Sequence, residues 1–176
     1  MTNTTNIIRL TVLLLILLAT QILIFNNIQI SGFVNPYIYV LFILSLPFGT
    51  TTAVAMVLGF IVGLVIDIFC NTIGMHAAAC VAMAYARGHV LRLMAQREEY
   101  KFDNLPTARS YGKRWYLIYS LSLVAVHHIV LFFAEQFDTL FFGPTLLRLL
   151  LSIVATMILV YLIQFLLPIE GSKESD

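Results

Sequence analysis

Charge is what this sequence has least of. Only 11% of its 176 residues are Asp, Glu, Lys or Arg, against 60% hydrophobic residues and a mean hydropathy of +0.94. A water-soluble domain carries roughly a quarter charged residues, so a soluble globular protein is excluded. Cysteine is scarce too. Cys70 and Cys80 supply no disulfide framework, and Cys80 falls inside an apolar run, where a thiol acts as a small packing residue. Catalytic signatures are missing: there is no H-E-x-x-H helix, no G-x-S-x-G elbow, no Walker loop and no pair of intramembrane carboxylates to share a proton. A net charge of +1 without a stacking motif argues against nucleic acid. What remains is an all-α integral membrane protein, one polytopic domain over residues 1–176, for which no enzyme activity, cofactor or metal is expected.

Hydrocarbon needs about 20 apolar residues per helical crossing. On that ruler the chain offers helices at about Ile7–Phe25, Pro36–Phe48, Thr50–Phe69, Met75–Leu93, Trp115–Glu135 and Thr145–Leu167. The second is short, and Pro47 with Gly49 ends it. At 1.5 Å per residue it reaches only about 20 Å, so it either thins the bilayer or re-enters it. Five and six crossings are both possible on length alone. Positive charge decides between them. Arg87, Arg92, Arg97, Lys101, Arg109, Lys113 and Arg114 gather around the connection 94–114, and Lys/Arg-rich loops stay in the cytoplasm. Six crossings also place Arg9 and Lys173 inside, so about six transmembrane helices with both termini cytoplasmic is the expected topology. The first apolar run is longer than a usual signal-peptide core and reads as an uncleaved anchor.

Asp67 is the sole charge between Arg9 and Arg87. Ala55, Gly59, Gly63 and Asp67 recur at steps of four, as do Gly74, Ala78, Ala82 and Ala86, and such steps share one helix face. Small residues let membrane helices approach closely, so an antiparallel hairpin is expected. Close packing explains the small residues but not the carboxylate, which costs at least about 2.5 kcal/mol deep in hydrocarbon. It is either an interfacial cap or a group with a buried partner. Arg148 is the candidate partner, a basic residue at the outer end of the last helix, with Glu135 and Asp138 as competitors near the same level.

His127 and His128 stand mid-helix. Adjacent helical side chains point about 100° apart, so sharing one metal is disfavoured and a hydrogen bond across a helix interface is favoured. The loop 94–114 is mixed in charge, and topology alone accounts for its basicity. Its start continues the fourth helix, with Arg92, Gln96 and Glu99 at helical spacing. The connection around Phe141 and Phe142 is aromatic, suiting either an interfacial anchor or a partner's transmembrane segment.

The stretch "LGFIVGLVIDIFCNTIGMHAAA", with Gly63, Leu64, Asp67 and Gly74 at that spacing, resembles the central motif of the MreD family of rod shape-determining membrane proteins. The resemblance covers nearly the whole chain in length and topology, and about 20 residues in specific pattern. It implies a fold similar to the substrate-binding subunits of energy-coupling-factor transporters. It also implies a non-enzymatic place in the cell-wall elongation machinery, beside a bitopic MreC-like partner and, indirectly, actin-like MreB, the RodA glycosyltransferase and a penicillin-binding transpeptidase. Gly63, Asp67 and Gly74 occupy the family's motif positions. Arg148, His127 and His128 inherit nothing from it. Two functions compete: a scaffold for a single-span partner in peptidoglycan synthesis and cell shape, and a small-molecule-binding transporter subunit. A carrier needs a roomy pocket with several convergent polar groups. The few polar residues in the spans favour the scaffold.

Overall fold

The computed structural model describes residues 4–27, 34–95, 100–135 and 142–166. They form a bundle of helices: α1 (Thr4–Thr20, running on through a π-turn at Gln21–Phe25), α2 (Val40–Leu44), α3 (Thr52–Cys70), α4 (Met75–Met94), α5 (Ala108–Tyr111), α6 (Lys113–Glu135) and α7 (Phe142–Leu166). Among the described residues four stretches are long and apolar enough to cross a membrane: Asn6–Phe25, Thr52–Cys70, Lys113–Glu135 and Thr145–Leu166. The protein is a helical membrane protein. α3 packs most heavily on α4, and α4 in turn on α6. The expected continuation of α4 stops short: Ala95 leaves the helix, and Gln96 and Glu99 lie outside the described residues.

The second apolar stretch differs most from expectation. Only Val40–Leu44 is α-helical, yet every residue from Pro36 to Pro47 is buried. It runs from one end of the bundle to the other as its core. Non-helical backbone survives at membrane depth only when protein groups satisfy its N–H and C=O. Here they do so almost atom by atom. Ser152 Oγ accepts from the Asn35 amide at 3.1 Å, and Thr156 Oγ1 from the Tyr37 amide at 3.0 Å. Gln21 Oε1 accepts from the Ile38 amide at 2.8 Å, while Gln21 Nε2 donates to the Pro36 carbonyl at 3.3 Å. At the other end the Tyr119 hydroxyl donates to the Leu44 carbonyl at 3.1 Å, and Arg87 Nη2 donates to the carbonyls of Leu46 and Pro47.

Beyond Pro47 the core segment docks on the connection between α4 and α6. The Phe48 amide donates to the Asn104 carbonyl at 3.1 Å and the Gly49 amide to that of Phe102 at 2.8 Å. The Phe48 ring stacks on Tyr100 with centroids 4.3 Å apart, and Trp115 Nε1 donates to the Tyr100 hydroxyl at 3.2 Å. The described part of the basic connection is therefore packed onto this "loop end" of the bundle. Arg87 departs from its expected place in that basic cluster. It is 2% exposed and caps the carbonyl end of the core segment, where a cation also meets the negative end of the helix dipole.

Replacing Gln21 with Leu orphans one buried amide and one buried carbonyl. The expected loss is about 1–3 kcal/mol for each group left unpaired, read as a fall in the thermal unfolding midpoint in detergent. Ile158→Val, on the exposed face of α7, is expected to shift stability by no more than about 0.5 kcal/mol.

Candidate functional site

The hairpin of α3 and α4 is built around Asp67. The α3 ladder of Ala55, Gly59, Gly63 and Asp67 is buried along its whole length. The opposing ladder is displaced from the expected one. α4 presents Ala77, Cys80 and Ala84, whereas Ala78 is exposed and Ala82 and Ala86 are only partly buried. A Cβ on Gly63 would overlap the backbone of His76 and Ala77, and one on Gly59 would come to 3.0 Å from the Cys80 carbonyl. Glycine at 63 is thus what lets the two backbones touch.

That contact carries the first turn of α4 to the Asp67 carboxylate. Oδ1 accepts from the Thr72 hydroxyl and from the His76 amide at 3.0 Å, and Oδ2 accepts from the Ala77 amide at 2.9 Å. The residue at the N-cap position of α4 is Gly74, in the left-handed region with φ 73°. Glycine has no side chain to cap with, so the exposed amides of the first turn take their acceptor from α3 instead. Asp67 is a cap supplied across the hairpin, placed where the helix dipole favours an anion. Gly63, Asp67 and Gly74 serve one purpose: closest approach, capping and the turn between.

The expected Asp67–Arg148 pair is not formed. Asp67 is 2% exposed and its oxygens are filled by donors of its own hairpin. Arg148 lies over the Phe132 ring, 5.6 Å from its centroid, with Nε buried and without a hydrogen-bond partner among the described residues. Glu135, the competitor at this level, is close enough to act on Arg148 electrostatically. The reason is geometric: comparable depth does not bring two helices into contact, and α3's first neighbour is α4. Asp138 and Phe141 lie outside the described residues, and Phe142 begins α7.

His127 and His128 turn to different partners, as adjacent helical residues must. His127 Nε2 lies 2.9 Å from the Tyr39 hydroxyl, which is also 2.8 Å from His76 Nδ1. His128 Nδ1 lies 2.9 Å from the Val124 carbonyl and Nε2 3.1 Å from Thr156 Oγ1. Tyr37 packs edge-on against His76 and His128, with centroids 5.5 and 5.4 Å apart. His127 Nδ1 is buried without a hydrogen-bond partner among the described residues. A bare acceptor is tolerated there better than a bare N–H, so His127 is assigned as the Nε2–H donor to Tyr39, and Tyr39 as donor to His76. His76 then carries its own proton on Nε2. His76 also lines a cavity of about 350 Å³ at the end of the bundle opposite the loop end, together with Gln21, Asn35, Tyr37, Thr72 and Glu135.

Sequence reasoning missed Gln21, Tyr37, Tyr39, His76 and Arg87. The polar residues at 21 and 37 sat in the sequence as interruptions of apolar runs, the one available signal. Among the described residues no cluster of His, Cys, Asp and Glu could hold a metal ion. No family model, curated protein or solved structure matches the chain.

Asp67→Asn puts an amide NH2 against one of the donors now facing the carboxylate. The expected cost is about 1–3 kcal/mol, read from thermal unfolding in detergent. Exchanging the charges of Asp67 and Arg148 is expected to give no rescue over the single changes.

Proposed function

We propose that the chain is a multi-pass scaffold of the MreD kind in the bacterial inner membrane, crossing six times with both termini and the basic loop in the cytoplasm. In this reading the core segment and α4 supply the two crossings that length and apolarity alone do not identify. Its partner is an MreC-like bitopic protein, and through it the chain serves MreB, RodA and a penicillin-binding transpeptidase in wall elongation.

The observation that supports this most is the use of the motif residues. Gly63, Asp67 and Gly74 stiffen a hairpin, and none of the three is among the lining residues of the cavity beside His76. The hairpin's outward face suits a helix as partner. Val54, Val57, Ile61, Leu64 and Ile68 are all exposed and alternate at steps of three and four, the spacing of a seam for another helix. A rigid ridge of this kind can hold a single-span segment without a polar contact.

The second reading is a small-molecule-binding transporter subunit. The cavity beside His76 favours it, because hydrogen-bonding groups converge there that the sequence did not place together. A photo-crosslinker at position 61, with a second at 158 on α7 as reference, separates the two in native membranes. Capture at position 61 of a bitopic protein with a large outer domain is expected for the scaffold. Recovery of a membrane transducer with ATPases would instead favour the carrier.

A further inference from the structure

A guanidinium has five donor hydrogens to place when it leaves water. In Arg87, Nε donates to the Tyr119 hydroxyl at 3.0 Å, and Nη2 to the carbonyls of Leu46 and Pro47. The two hydrogens on Nη1 meet no acceptor among the described residues, and no carboxylate there pairs with the charge. Neutral oxygens spread a buried positive charge without cancelling it, and buried charges are normally paired. Capping the core segment explains three of the five hydrogens and leaves the net charge.

Arg87 also lines a cavity of about 640 Å³ at the loop end. A second cation and the start of a helix line it as well. Arg92 is exposed at the mouth and is steadied by a hydrogen bond from Nε to the Gly88 carbonyl at 3.1 Å. Thr50, Thr51 and Thr52, leading into α3, line it too. The first-turn amides of a helix lack intrahelical acceptors, and its dipole is positive there; in α3 the Thr51 hydroxyl already accepts from the Val54 amide, which leaves those of Thr52 and Ala53. Among the described residues, no Asp or Glu lines it. Gly88 lies against the start of α3: a Cβ there would come to 2.6 Å from Thr52 Oγ1, and that hydroxyl would have to turn aside.

We propose that this cavity binds a phosphate group, held between Arg87 Nη1, Arg92 and the threonine-lined start of α3. The group comes from an anionic phospholipid headgroup or from a soluble phosphate. The site stands apart from either functional reading above.

The test uses the full chain in detergent micelles. Native mass spectrometry counts phosphatidylglycerol and phosphatidylcholine retained per chain, and calorimetry follows inorganic phosphate. Arg92→Gln is the informative variant, because Arg92 is exposed while Arg87 also secures the core segment. Arg109→Gln/Lys113→Gln, which removes basic charge at another part of the loop end, is the control. A lipid site is expected to retain one phosphatidylglycerol with a preference of roughly tenfold or more over phosphatidylcholine, within the range of one charge-assisted hydrogen bond. Arg92→Gln should abolish that preference and the control should keep it. A soluble-phosphate site would show inorganic phosphate bound by the wild type and the control, weakened in Arg92→Gln, with no preference between the lipids. The proposal is overturned if neither probe binds, or if Arg92→Gln binds both as the wild type does.

Discussion

The backbone from Asn35 to Gly49 closes its own turns only through its middle, over residues 41–46, and the remainder of the bundle is arranged to satisfy its two ends. Unpaired amides and carbonyls away from water cost several kcal/mol each. Gln21 from α1, Ser152 and Thr156 from α7, Tyr119 from α6 and Arg87 from α4 each turn a polar group inward to this one segment. That requirement places four helices around a fifth strip of chain. It also explains why polar residues fall at isolated positions in otherwise apolar helices. Each belongs to the backbone of a neighbour.

The α3–α4 hairpin solves a smaller version of the same problem. A helix that begins with glycine has amides to satisfy and no local side chain for the purpose. Asp67 reaches them only because Gly63 removes the side chain that would hold α3 and α4 apart. Close packing and capping are therefore coupled. Widening the hairpin at Gly63 would uncap α4, and losing the cap would leave buried amides at the point of closest approach.

The two ends of the core differ in chemistry. Opposite the loop end, imidazoles, phenols and amides form a hydrogen-bonded group beside a cavity. At the loop end a buried cation faces a second, larger cavity. Between these ends lie Leu41, Ile43, Met83 and Leu123, all fully buried. Their sequence positions set an apolar layer between Tyr39 and Leu46 on the core segment, between His76 and Arg87 on α4, and between Tyr119 and His127 on α6. The described core thus joins its polar ends through an apolar layer.

Composition alone settled that the chain belongs in a bilayer, because so few charges cannot keep it in water. Periodic apolar runs located the long helices to within a few residues, since helix length is set by local hydrophobicity. The small-residue steps in α3 identified its packing face. Other features needed the folded chain. The second stretch read as a short helix because Pro36–Phe48 is apolar, but apolar backbone is also compatible with a non-helical strip when distant residues supply its hydrogen bonds. Asp67 was legible as a residue with a purpose, yet its partner was not, because the donors were backbone amides that every residue carries. Arg87 read as one more loop arginine, and only the approach of Pro47 and Tyr119 made it a buried cap. Sequence spacing reports which residues share a face, whereas the identity of what they face depends on helix neighbours and register, which only the tertiary packing decides.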